Sequence, residues 1–143
     1  MQIEVRKMKA DDAETVTLLS QQLGYSLSTR QILQNIYLVL KSKDHTAFVA
    51  AIENRIVGWI GAAQAIMIEV MPHCEITGLV IDENYRGKGI GKMLIEKVEQ
   101  WAKEKGNDRL SLRCNVKRIE AHSFYEHLGF TEIKQQKNFV LQI

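Results

Sequence analysis

The chain has 143 residues, enough for one domain around a single core. Hydrophobic residues make up 45% and charged residues 25%, a balance that excludes a disordered chain. The formal net charge of +2 is too small to imply a nucleic-acid partner, and no block of like charges marks an interaction tail.

Residues 2–8 alternate imperfectly through Ile3, Val5 and Met8 and read as a first strand. They lack the basic and apolar regions of a signal peptide. No apolar run is long enough to span a bilayer, so no membrane partner is expected. Asp11 with Glu14 has capping-box spacing. It predicts a helix carrying Val16, Leu19 and Leu23 and ending at Gly24. Ser28 with Gln31 repeats that spacing and opens a second helix, with Ile32, Ile36 and Leu40 expected on one face. His45–Glu53 and Arg55–Glu69 read as a hairpin turning at Glu53-Asn54. Glu75–Asp82 is a further strand, and its Leu79-Val80-Ile81 run suggests burial on both faces.

Gly89–Lys105 carries the strongest helical periodicity, with Ile90, Met93, Leu94, Val98, Trp101 and Ala102 at spacings of three and four. Gly106-Asn107 stops it. Arg109–Val116 alternates through Leu110, Leu112 and Cys114 as a half-buried strand. Glu120–Leu128 is a short helix with Ala121, Phe124, Tyr125 and Leu128 facing inward. Phe130–Ile133 and Phe139–Ile143 close the chain as two more strands. The order β-α-α-β-β-β-α-β-α-β-β predicts an α/β (α+β) architecture: a central mixed sheet of about seven strands with about four helices.

Cys74 and Cys114 lie in apolar segments. Without an export signal they read as reduced thiols of a cytoplasmic protein, used as small buried hydrophobes. They are too few for a cysteine zinc site, and the histidines lack ligand spacing, so no metal is expected.

The segment Arg86-Gly87-Lys88-Gly89-Ile90-Gly91-Lys92 joins a buried strand to the strongest helix. Its alternate glycines permit positive φ and leave no Cβ to hold a ligand away. The two earlier helices have side-chain caps, whereas this one has none. Its free N–H groups and positive dipole end are open to an anion, and Arg86, Lys88 and Lys92 add charge. Such a loop suits a pyrophosphate, although by itself it also reads as a chain-reversing turn. It is not a Walker A loop, because Met93 stands where Ser or Thr is needed. It is not a dinucleotide fingerprint, because Lys92 takes the third glycine's place.

Arg86-x-x-Gly89-x-Gly91 after Gly78-Leu79-Val80-Ile81-Asp82 resembles the cofactor motif of GNAT-type N-acetyltransferases. Ala121-His122-Ser123-Phe124-Tyr125-Glu126-His127-Leu128-Gly129-Phe130 resembles that family's second motif. The two lie in the family's order. The resemblance implies a single N-acetyltransferase domain over residues 1–143, with a GNAT-like, mostly antiparallel sheet. It implies acetyl-CoA as cosubstrate, its pyrophosphate held by residues 86–92. It also implies a gap between the fourth and fifth strands, where the backbone of Leu79, Val80 and Ile81 pairs with the pantetheine arm. An N–H of Leu79 or Val80 would polarise the thioester carbonyl. Tyr125 falls at the family's general-acid position, with a core aromatic as its plain alternative. Glu75 matches a general-base position and reads equally as a solvated strand-end charge. His73, His122 and His127 are weaker bases, the last two expected to face solvent. Many members have Asn three residues before the motif's Ala. Here Arg118 holds that place, and Asn115 is the nearest substitute.

The reaction implied is direct attack of a primary amine on the acyl donor in a ternary complex. Cys114 has no base placed beside it and is not read as an acyl carrier. A small-molecule amine is the expected acceptor. A protein or peptide amine, or a non-catalytic acyl-CoA sensor of the same fold, is the alternative. A homodimer is among the states common in the family. No motif in the first two helices or in residues 24–29 identifies the acceptor.

Overall fold

The strand-forming runs 45–52, 55–67 and 70–81 are joined by two-residue turns, too short for anything but antiparallel return. Residues 2–143 are described by a computed structural model. Strands β1 (Glu4–Lys7), β2 (His45–Ile52), β3 (Arg55–Met67) and β4 (Val70–Ile81) are antiparallel neighbours, and β5 (Leu110–Leu112) lies parallel to β4. Glu53 and Asn54 both take positive φ, 51° and 67°, the turn geometry that matches strand twist.

The chain divides into a first unit, up to Leu112, and a second, Arg113–Ile143. In the first, helices α1 (Ala13–Gln21) and α2 (Thr29–Lys41) cover one sheet face. Met8, Val16, Leu19, Ile36, Val49 and Val80 are among the buried residues of that layer. Helix α3 (Ile90–Glu104) covers the other face through Ile90, Leu94, Val98 and Ala102. A Cβ on Gly58 would meet Ile81 Cδ1 at 2.9 Å, the Val80 carbonyl at 3.1 Å and Leu94 at 3.4 Å.

The local starts differ from expectation in instructive ways. Ser28 and Gln31 form the predicted capping box: the Gln31 N–H donates to Ser28 Oγ (3.2 Å) and the Ser28 N–H to Gln31 Oε1 (2.9 Å). At α1 the acting residue is Asp12 rather than Asp11. A 3-10 turn, Ala10–Asp12, precedes the helix. The Asp12 carboxylate accepts the Lys9 N–H (2.7 Å) and both Arg6 guanidinium nitrogens (2.9 Å each). A bidentate pair to β1 fixes this residue more strongly than a lone cap fixes its neighbour. On α2, Ile32, Leu33, Ile36 and Val39 face the core and Leu40 is exposed. The apolar stripe runs through Val39, and Leu40, still inside α2, falls beside it.

The bounds of β4 and β5 shift furthest. β4 begins at Val70, ahead of the expected Glu75, and takes in Pro72. Pro72 is tolerated because β5 meets only Cys74–Ile76, leaving this stretch at the sheet edge. β5 is three residues long, where Arg109–Val116 was expected. Its alternation ends inside a loop, because Asn115 folds the chain back: Asn115 Oδ1 accepts the Lys117 N–H (2.9 Å).

In the second unit, helix α4 (Ile119–His127) is followed by Gly129 at φ 99°. No α4 residue is fully buried, including the expected inward stripe. The expected strands Phe130–Ile133 and Phe139–Ile143 do not form; residues 130–143 carry no helix or strand. Alternation supplies a side-chain pattern, but a strand exists only where main-chain partners complete it.

Candidate functional site

The site is set by one irregularity in the β3–β4 pairing. Gly61 stands opposite Gly78 and Ala62 opposite Ile76, so Thr77 is an extra residue on β4. An extra residue reverses which edge the following main-chain groups face. Before it, the Cys74 N–H donates to the Arg109 carbonyl of the β5 segment (3.1 Å), so Cys74 and Ile76 address β5. After it, the Asp82 N–H donates to the Val57 carbonyl (2.8 Å). By alternation Val80 and Gly78 then address β3, while Leu79 and Ile81 turn their main-chain groups to the outer edge. β5 has already ended opposite Ile76, so this edge is open. Of Leu79 and Val80, only Leu79 turns its N–H to that edge. The bulge could not be read from sequence, although Thr77-Gly78 was the available hint.

Trp59 keeps this segment close to β3. A Cβ on Gly78 would lie 2.7 Å from the Trp59 indole, so only glycine lets the ring lie across the strand. Leu79 and Ile81 are half-buried and Val80 fully buried, so burial on both faces is only partial.

The open edge leads through a 3-10 turn, Glu83–Tyr85, into the glycine loop. Arg86 Nε donates to the Ile81 carbonyl (3.4 Å) at the end of that edge. Gly89 is the N-cap of α3 at φ 82°, with no side-chain cap. The first helical bond is from the Met93 N–H to the Gly89 carbonyl (3.2 Å). The N–H groups of Gly89, Ile90, Gly91 and Lys92 therefore precede the helical ladder, the donor set that anions occupy. A Cβ at Gly87 or Gly89 would meet nothing within 4 Å, so both glycines border free space. Lys88 is exposed and Lys92 lies 4.0 Å from Glu96 in an exposed pair, worth little by itself.

Glu75 is half-buried opposite Ala63, on the sheet face that carries Trp59. Its neighbour Cys74 is fully buried, and burial, reinforced by the Glu75 charge, pushes the thiol up to about 11. A thiol so raised is inert as a nucleophile. His73 is buried and its Nδ1–H donates to the Met71 carbonyl (3.0 Å), which occupies that nitrogen structurally.

Tyr125 and Asn115 belong to the second unit. The Tyr125 ring packs edge-on against Phe124 (5.2 Å) and Phe130 (5.8 Å). His122 departs from expectation: it is half-buried, and its Nε2–H donates to the Asn115 carbonyl (2.8 Å). A carbonyl only accepts, so that nitrogen is protonated and is no base. His127 is exposed, as expected, and so is Arg118, at the α4 N-cap. Asn115 spends its side-chain oxygen on the loop, leaving its amide donors. Among the described residues, no group of three or more His, Cys, Asp or Glu is placed to hold a metal. Among the described residues, no helix is long and apolar enough to cross a membrane.

The chain is similar to known proteins. The acetyltransferase (GNAT) family profile matches residues 13–130. The uncharacterized N-acetyltransferase YhdJ of Bacillus subtilis is 30% identical over 124 residues, covering 86% of this chain and 87% of that protein. A probable glucosamine 6-phosphate N-acetyltransferase of Drosophila melanogaster is 32% identical over 146 residues, with 95% of this chain matched to 64% of that one. In fold, the chain is similar to aminoglycoside N-acetyltransferase AAC(6')-Iy in complex with CoA. The TM-score is 0.89 at 18% identity, over 99% of this chain and 96% of that chain. A profile match through both motifs, with a bulged open strand leading to an uncapped helix, leaves one conclusion: the chain belongs to the acetyltransferase (GNAT) family and is an N-acetyltransferase.

Proposed function

We propose that residues 1–143 act as one N-acetyltransferase domain that moves an acetyl group to a primary amine of a small molecule, by direct attack in a ternary complex. Acetyl-CoA is the cosubstrate and supplies an activated thioester. The observation that carries the reading is the open edge of β4 after Thr77, which runs into the bare mouth of α3. Extended main-chain groups there suit an amide-bearing arm, and the four early N–H groups suit its diphosphate. The Leu79 N–H is the donor for the charge that develops on the carbonyl oxygen. Glu75 takes the proton that an ammonium must lose before it attacks, directly or through water. The Tyr125 hydroxyl returns a proton to the departing thiolate. A small acceptor is supported by the aminoglycoside N-acetyltransferase named above, at the level of fold.

The test is thiol release from acetyl-CoA against a panel of small amines and peptides. Turnover is expected with a small amine, and Tyr125→Phe lowers kcat by about 10²-fold with acetyl-CoA binding unchanged. Glu75→Gln costs about 10²-fold near neutrality and recovers as pH approaches the amine pKa near ~10, where the acceptor is already deprotonated. A loss that stays constant across pH removes Glu75 as the base. Binding of acetyl-CoA without release to any acceptor means a sensor rather than an enzyme.

A further inference from the structure

A cleft of about 540 Å³ opens between α1, β1 and the Glu53-Asn54 turn, and every wall of it belongs to the first unit. Leu18, Leu19 and Ile56 give it an apolar floor, and Asp82, just past the end of β4, lines one side. From Asp82 the cleft runs toward β3 and β1, away from the β5 side of β4 where the open edge lies.

The charges around this cleft do not balance. Arg6 is spent on Asp12, with both of its nitrogens at 2.9 Å from the carboxylate. Arg55 holds its Cζ 5.9 Å from the centre of the Tyr85 ring. Asp82 is only 5% exposed. Its Oδ1 accepts the Asn84 N–H (3.1 Å). Among the described residues Oδ2 has no hydrogen-bond partner, and no cation pairs with this carboxylate. Asp11, exposed on the rim, is likewise without an ion pair among the described residues. A buried carboxylate with one oxygen unmet is costly until a donor reaches it.

We propose that this cleft binds a small organic cation of the alkylammonium class, its charge on Asp82 Oδ2 and Asp11 and its hydrocarbon against Leu18 and Ile56. An anion would face two carboxylates that lack counter-charges. A metal ion would leave the apolar floor unused, and no set of three ligating side chains is present among the described residues. Asp82 opens the Glu83–Tyr85 turn, and Gln22, at the end of α1 and also on the cleft, accepts the Glu83 N–H on Oε1 (3.0 Å). An occupant therefore ties α1 to the turn that enters the glycine loop. The inference does not depend on the acyltransfer reading, and the cation held here is not the amine that would be acylated.

The test titrates n-butylammonium into the isotope-labelled full chain, without acetyl-CoA, and follows the amide resonances. Saturable shifts are expected at Leu18, Asn54 and Asn84. n-Butanol, the same body without the charge, should bind about tenfold more weakly or worse. Asp82→Asn keeps the turn, because Asn caps as Asp does, and should weaken n-butylammonium about tenfold. Asp11→Asn, on the rim, should weaken it about two- to fivefold. Absence of saturable shifts in the cleft overturns the proposal. So do shifts confined to residues 78–81, which would put the amine at the acyl-transfer edge alone. Equal binding of n-butanol, or unchanged affinity in Asp82→Asn, overturns it too. Should Asp82→Asn fail to fold, the n-butanol comparison on the unmodified chain and Asp11→Asn decide: no weakening in either overturns it.

Discussion

Helices α2 and α3 begin with the same physical problem and solve it oppositely. At α2 the Ser28–Gln31 box consumes donors within the protein. At α3 Gly89 offers no side chain, and the N–H groups of residues 89–92 remain outside the ladder. The same contrast recurs on β4, where Val80 addresses β3 and Leu79 addresses the open edge. Satisfied donors hold this protein together, and unsatisfied ones mark the place we propose for its ligand. α1 belongs with α2, since Asp12 consumes the Lys9 N–H.

The contrast is broken most severely by removing an open donor. Leu79→Pro deletes an N–H that no strand uses, so the chain should fold while kcat falls about 10²–10³-fold, the usual cost of one oxyanion donor. Val80→Pro deletes a ladder donor and should unfold the domain in a thermal melt. Equal folding of both variants would refute the bulge argument. Next, Gly89→Asp puts a carboxylate in the α3 mouth. Asp tolerates the 82° φ better than most residues, so the fold survives. Acetyl-CoA affinity by calorimetry should drop by about 10²-fold, the scale of one or two charge-assisted bonds. Unchanged affinity would move the diphosphate elsewhere.

The satisfied side should behave in the inverse way. Asp12→Asn breaks the pair to Arg6 and is expected to cost about 1–3 kcal/mol in denaturant unfolding, with acetyl-CoA affinity unaffected. Burial pushes the Asp12 carboxyl up, but the Arg6 and Lys9 hydrogen bonds and the Arg6 and Lys9 charges outweigh it, so the value lies below its ordinary 3.8. A lowered folded-state value gives stability that is present above 3.8 and lost as pH falls through the lower value. The variant should therefore show a shallower acid limb than the unmodified chain. Smallest is Ser28→Ala, at about 1 kcal/mol, again without effect on binding.

What the sequence determined was local. The Ser28–Gln31 box, the Glu53-Asn54 turn, the periodicity of α3 and its uncapped glycine start are each contained in a few consecutive residues. The forces that set them, donor satisfaction and a helical apolar face, act over that same range. The glycine loop and the Tyr125 motif carried the family assignment for the same reason.

What only the tertiary structure decided depended on partners outside a residue's own helix or strand. Asp12 displaced Asp11 because Arg6 lies on the neighbouring strand. His122 bonds to the Asn115 carbonyl rather than only to solvent. The edge faced by Leu79 follows from a bulge, which is a property of two strands in register and is not fixed by either one alone. The strands expected at residues 130–133 and 139–143 had alternation without a partner. Side-chain pattern states what a strand would bury, but main-chain pairing decides whether it exists.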